Sequence, residues 1–188
     1  MAARSLELTA WGNESYRQRD NSFVPILTDG TNIEGIVIEQ GSSLRIKGDK
    51  VVPLFAGPAY FWLYATAYRL TGDEFIWQMV KDIAIGNNLG DIDEMYRKAI
   101  QSPVEIACSD PYGLLGFLEL YDKTKQEQFL IMARRIADNI VETRFHEGFF
   151  VLSEQHVYSR FDCFEPLALL HLVEAIDTRK YSIPTAWP

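Results

Sequence analysis

Two kinds of apolar pattern alternate along this chain. Residues 58–70 and 111–122 are apolar nearly all round, with Phe61, Trp62, Leu63, Tyr64 and Ala65 in the first and Leu114, Leu115, Phe117, Leu118 and Leu120 in the second. Such segments make helices buried on several sides. Each opens on a proline, Pro58 or Pro111, whose missing N–H costs nothing in a first helical turn. Asp110 stands before the second as an N-cap. A polar break follows each, and then an amphipathic stretch. In the clearer of these, Phe129, Met132, Ala133, Ile136 and Ile140 form one stripe at helical spacing, while Arg134, Arg135, Asp138 and Glu142 take the other side. Both breaks read T-x-x-E, from Thr71 to Glu74 and from Thr124 to Glu127, which predicts a reciprocal capping box at the start of each second helix. The predicted unit is a hairpin of a buried inner helix and a half-solvated outer helix.

The hairpins recur. Shifted by 53 positions, Pro58, Tyr68, Thr71, Glu74, Met79, Ile83 and Ala84 fall on the same residue types at Pro111, Tyr121, Thr124, Glu127, Met132, Ile136 and Ala137. A further shift of 55 places Pro111, Leu114, Leu115, Glu119 and Asp122 on Pro166, Leu169, Leu170, Glu174 and Asp177. A third inner helix is therefore predicted over 165–177. The joints are extended: Phe149 to Leu152 and Val157 to Arg160 predict a small β-hairpin leading into Pro166. Residues 19–27 resemble the same joint after a helix over 5–18, with Asp29, Gly30 and Gly35 supplying turns. Residues 91–101 predict an extra helix between the first two hairpins. With no low-complexity linker, residues 1–188 form one domain of about seven helices. The first helix is an outer one without an inner partner and the last is an inner one. The expectation is an array with open ends, the C-terminal part of a larger ring, whose apolar ends need a missing N-terminal half or self-association to cover them.

Composition removes several classes of partner. Eighteen basic against 26 acidic residues give a net charge of −8, which opposes a phosphate-tracking nucleic-acid surface. No apolar run reaches the length of a membrane span, and residues 1–20 lack the apolar core of a secretory signal, leaving the cytoplasm or, for a fragment, the periplasm. Cys108 and Cys163 show no CxxC or Cys/His spacing and are expected as buried thiols.

Against this background, Leu27 to Thr31, Ala67 to Phe75, Gly86 to Ile92 and Tyr158 to Leu170 resemble the α/α-toroid carbohydrate-active enzymes, and among these the pectate lyases of polysaccharide lyase family 2, over residues 6–176. The resemblance implies an all-α fold, an array of helical hairpins forming part of an α/α toroid with short β-hairpin connections. It implies cleavage of polygalacturonate or oligogalacturonate, an acidic polysaccharide, by β-elimination. A basic side chain, usually arginine, takes the C5 proton, and a divalent metal (Mn or Ca) held by histidines and a glutamate neutralises the uronate carboxylate. A carbanion beside a carboxylate forms only where positive charge sits on that carboxylate. The matching ligand cluster is absent from the sequence: His146, His156 and His171 are spaced by 10 and 15, and no arginine–histidine pair occurs. In the family that constellation belongs to the N-terminal part of the ring, so this segment is expected to supply subsites and scaffold. The alternatives are a sugar epimerase or unsaturated-uronyl hydrolase of the same architecture, or a non-catalytic carbohydrate-binding remnant.

In that architecture, residues just before an inner helix face the sugar-binding mouth. Strand alternation puts His156, Tyr158 and Arg160 on one face. Arginine can clamp a uronate carboxylate and tyrosine can stack on a sugar ring. Asp162 and Glu165 follow, with capping of the helix at Pro166 and pairing with Arg160 as the competing structural roles. Asp110 and Tyr112 take the equivalent place one hairpin earlier. Asp29 has an ordinary turn role, His171 and Trp62 and Trp77 core roles, while His146 sits by a helix C-terminus. Trp11 and Trp187 are candidates for a sugar platform or an interface.

Overall fold

A computed structural model describes residues 15–27, 29–37, 46–47, 49–97, 106–151 and 163–178. Two-residue strands come first: β1 (Tyr16–Arg17), β2 (Ser22–Phe23), β3 (Ile46–Lys47), β4 (Lys50–Val51) and β5 (Leu54–Phe55). Then follow α1 (Pro58–Thr71), α2 (Glu74–Gly86), α3 (Ile92–Arg97), α4 (Pro111–Thr124) and α5 (Glu127–Arg144), the strands β6 (Phe145–His146) and β7 (Phe149–Phe150), and α6 (Glu165–Thr178). The described chain is mostly helical, as the patterning predicts.

The inner helices start on their prolines or one residue before, and they lie in a row: α1 packs on α4, and α4 on α6. On one side of this row α2 packs against α1 and α5 against α4. The core between them is built from Phe61, Tyr64, Ile83, Leu114, Phe117 and Phe129, all almost wholly buried. Each outer helix also ties down the chain that leads into its own inner helix. Asn87 Nδ2 donates to the Ala56 carbonyl at 2.7 Å. Asn139 Nδ2 donates to the carbonyls of Ile106 and Cys108 at 2.7 and 2.9 Å. These bonds pair backbone carbonyls of the extended lead-ins, the one at Ala56 being shared with Asn21.

The two hairpin turns share one geometry, and it is not the capping box. Thr71 and Thr124 end the inner helices, donating Oγ1 to the carbonyl of Ala67 at 2.8 Å and of Leu120 at 2.7 Å. The same hydroxyls accept the N–H of Asp73 and Gln126. Gly72 and Lys125 then turn the chain in the left-handed region, at φ 69° and 56°. The N-cap of α2 is Asp73, whose Oδ1 accepts from Phe75 N and Ile76 N; Gln126 before α5 makes no side-chain cap. The threonines thus finish one helix rather than begin the next.

One further expectation is corrected. The helix expected over 5–18 does not extend to Gln18: Tyr16–Arg17 is strand β1, antiparallel to β2, which pairs in turn with β5. The cause is local, because buried Asn21 at φ 46° reverses the chain and its Nδ2 donates to Ala56 O at 2.9 Å. Among the described residues Phe149–Phe150 pairs with Phe145–His146, joined through Glu147 and Gly148, both at positive φ. A two-residue turn with left-handed conformers closes a tight hairpin there. The expected second strand at Val157 to Arg160 lies outside the described residues, as do Trp11 and Trp187. The extra helix is present as α3, with Asp91 Oδ1 accepting from Asp93 N and Glu94 N. No described helix is long and apolar enough to cross a membrane.

His171, in the middle of α6, is fully buried. Burial holds its pKa below the ordinary 6.5, with Glu174 pulling the other way. Below pH 6.5 the unfolded chain therefore takes up a proton that the folded chain resists. Stability is expected to be level above that pH and to fall as the pH drops through it, by up to about 1.4 kcal/mol per pH unit. Urea unfolding from about pH 5 to 8 checks this, and His171→Leu should remove that part of the decline.

Candidate functional site

The N-terminal ends of α4 and α6 come together beside the first turns of α1. Tyr112, the second residue of α4, stacks on Trp62 of α1 with ring centroids 5.6 Å apart and planes at 23°. Phe164, just before α6, lies 5.1 Å from Tyr112 and 6.3 Å from Trp62. Three aromatic rings from three segments make one patch of wall. Trp62 Nε1 within it is screened from water and has no hydrogen-bond partner among the described residues. An unpaired buried N–H is costly, so an acceptor reaching this nitrogen would be stabilised.

Beneath the rings lies a charged cluster. Arg144, the last residue of α5, donates Nη1 to Oε1 of Glu165 at 2.7 Å, and Glu165 is only 3% exposed. A carboxylate so removed from water needs such a partner. Asp110 caps α4, its Oδ1 accepting from Tyr112 N at 2.9 Å. Burial pushes the Asp110 carboxyl above the usual range; the Tyr112 N–H and Arg144 oppose that shift, and Glu165 adds to it. The Cys108 Sγ accepts from Asp110 N at 3.4 Å, and burial holds its thiol up, so it stays protonated and unreactive at neutral pH. One guanidinium thus serves two carboxyls at the N-terminal ends of α4 and α6.

Of the residues singled out from sequence, the structure brings together Asp110, Tyr112 and Glu165. Glu165 is paired with Arg144, because the end of α5 packs against the start of α6, and its expected partner Arg160 lies outside the described residues. His156, Tyr158, Arg160 and Asp162 lie outside the described residues. Asp29 is a turn residue whose Oδ1 accepts from Thr31 N at 2.9 Å, which holds its carboxyl below the usual range. His146 stands in β6, past the end of α5. Trp77 is in the core, with Nε1 donating to Asp93 at 3.4 Å.

Sequence reasoning passed over Arg144, whereas Trp62, expected in the core, is partly buried and packs against it. Arg144 as the last-turn base of an amphipathic helix looks like ordinary dipole compensation. Among the described residues no three His, Cys, Asp or Glu side chains gather in a way that would hold a metal ion. The sequence profile of a family described as periplasmic pectate lyase matches residues 2–187.

Proposed function

The chain belongs to the periplasmic pectate lyase family, and on that premise we propose that it acts on galacturonate chains by β-elimination, as part of an α/α toroid with the inner-helix N-termini around its mouth. The family match over nearly the whole chain carries this reading. The wall of Trp62, Tyr112 and Phe164 supports it, since aromatic faces suit the C–H faces of a sugar ring.

In the proposed reaction a base removes the C5 proton of a galacturonate unit. The electron pair forms the C4–C5 double bond, and the bond from C4 to the glycosidic oxygen breaks, the departing oxygen taking a proton. Positive charge on the uronate carboxylate lowers the cost of the carbanion. In the resemblance a divalent Mn or Ca ion supplies that charge. The described residues do not fit such an ion, because the nearest carboxyl pair, Asp110 and Glu165, already flanks Arg144. No step here is routed through a metal. Arg160 and Tyr158 are proposed to clamp the carboxylate and stack on the ring, with His156 and Asp162 beside them. Asp110 and Tyr112 form the floor of the neighbouring subsite.

Mixing the chain with polygalacturonate and Mn²⁺ or Ca²⁺ should raise ultraviolet absorbance as the unsaturated product accumulates. Arg160→Ala should lower kcat/KM by about 10- to 100-fold, the worth of a hydrogen bond to a charged group. A flat trace with saturable binding of oligogalacturonate would overturn the lyase reading in favour of a binding protein. Interconversion of monosaccharides without an absorbance change would overturn it in favour of an epimerase.

A further inference from the structure

We propose that the cavity between α2 and the segment carrying β1 binds a primary alkylammonium group, with its charge on Asp82 and its stem along Phe75. The single helical turn Gln18–Asp20 follows β1 and packs on α2. A space of about 260 Å³ is left there, lined by Tyr16, Gln18, Phe75, Gln78, Met79 and Asp82. Ligand pockets usually begin near about 300 Å³, so this one has room for a single small group. Phe75 is 57% exposed, whereas Met79 is buried.

The polar atoms fix the sign of the ligand. Asp82 is the only charged residue of the lining. Its Oδ1 accepts from Gln18 Nε2 at 3.2 Å and from Gln78 Nε2 at 3.0 Å. An ionised carboxylate only accepts, so both amides turn their nitrogens towards it and keep their oxygens for other partners. Tyr16 spends its hydroxyl proton on Asn21 Oδ1 at 2.9 Å. A ligand therefore meets chiefly acceptors, with the second amide hydrogens as the remaining donors.

The carboxylate also lacks a counter-charge. Burial raises the Asp82 carboxyl, while Gln78 and Lys81 pull it down. Lys81 Nζ stands 3.9 Å from Asp93 Oδ2, and Asp82 has no ion pair among the described residues. Its field is felt across the cavity: burial first, then Asp82 and Asp20, push the Tyr16 hydroxyl up to about 12. Asp20 is held by Arg17 at 2.6 Å, so Asp82 is the charge left for a ligand to balance. Because both amides converge on Oδ1, one carboxylate oxygen is open. A guanidinium fork wants two, whereas an ammonium acts as a point charge. The exposed Phe75 ring adds cation–π attraction and an apolar side for the stem. The inference stands apart from the proposed activity, whose acidic substrate Asp82 would repel.

Titrating the isotope-labelled full chain with pentylamine near neutral pH should move the Gln18 and Gln78 side-chain amide signals along saturating curves. Pentanol and pentanoate, of the same length without the positive charge, should leave them in place. Asp82→Asn keeps the shape and one acceptor and should weaken pentylamine binding by about tenfold or more. Phe75→Ala, at an exposed position, should weaken it by about two- to fivefold. Both variants should keep the far-ultraviolet circular dichroism of the parent. Nα-acetyl-lysine amide separates two sources of the group, and either result upholds the ammonium site: binding as tight as pentylamine's points to a protein lysine, weaker binding to a free amine. Pentanol binding as well as pentylamine, undiminished binding in Asp82→Asn, or Ca²⁺ moving the same signals where pentylamine does not, would each overturn the proposal.

Discussion

Replacing Arg69 with alanine is expected to lower the unfolding free energy by about 3–5 kcal/mol, the cost of leaving a buried charge without its partner. The Arg69 guanidinium reaches from α1 to Glu119 of α4 and lies 3.8 Å from Asp122. Glu119 is 1% exposed, so its carboxylate has exchanged water for this cation, its ion-pair partner among the described residues. Without Arg69 it is left desolvated beside the like charge of Asp122. Arg69 is itself 30% exposed, so the space it vacates is partly open to water and the loss is chiefly electrostatic. The control is an apolar pair: Arg69→Met combined with Glu119→Leu removes both charges, and such replacements are often neutral or stabilising. Urea unfolding curves with unchanged slope would measure both. A loss below about 1 kcal/mol in Arg69→Ala, the range of exposed ion pairs, would show that Glu119 does not depend on this contact.

The same pair shows how much of the fold is legible beforehand. Pro58, Pro111 and the apolar runs behind them place the inner helices to within a few residues, because a helix buried on all sides admits little else. The turns after them are less legible. Thr71 and Thr124 carry the capping-box pattern, yet a threonine hydroxyl can bond back to the carbonyl four residues earlier, and here it does. Lys125 takes a left-handed conformation at φ 56° that only the glycine at the equivalent Gly72 would advertise.

At the candidate site the local piece was readable and the long-range piece was not. Asp110 before Pro111 is an N-cap by type and position, and it caps α4. Arg144 and Glu165 are 21 residues apart and meet only because the end of α5 packs on the start of α6. No helical or strand spacing encodes that contact. Trp62 reads as core in an apolar run and does pack against the core, but its stack on Tyr112 is not visible in the spacing. The resemblance supplied what spacing could not, the substrate class. The residues carrying that expectation most directly, His156, Tyr158, Arg160 and Asp162, lie outside the described residues.

The second large effect is expected where α1 and α4 approach most closely. An alanine Cβ at Gly116 would stand 2.5 Å from Cε1 of Phe61 and closer still to Cδ1. The Phe61 ring is fully buried and lies edge-on to Phe117 at 5.2 Å, so it cannot swing aside without disturbing the core. Gly116→Ala should therefore cost about 1–3 kcal/mol by overpacking. Phe61→Ala empties the same place and should cost about 3–5 kcal/mol. The two changes are coupled, because the methyl group that collides with the ring fits the space the ring vacates. The double variant should then be more stable than the sum of the single losses predicts, by about 1 kcal/mol or more. Strict additivity in urea unfolding would mean that Gly116 does not set the distance between α1 and α4. Since Trp62 and Tyr112 sit on these same two helices, the double variant should also keep their stack, whereas Gly116→Ala alone should displace it and shift the tryptophan near-ultraviolet circular dichroism.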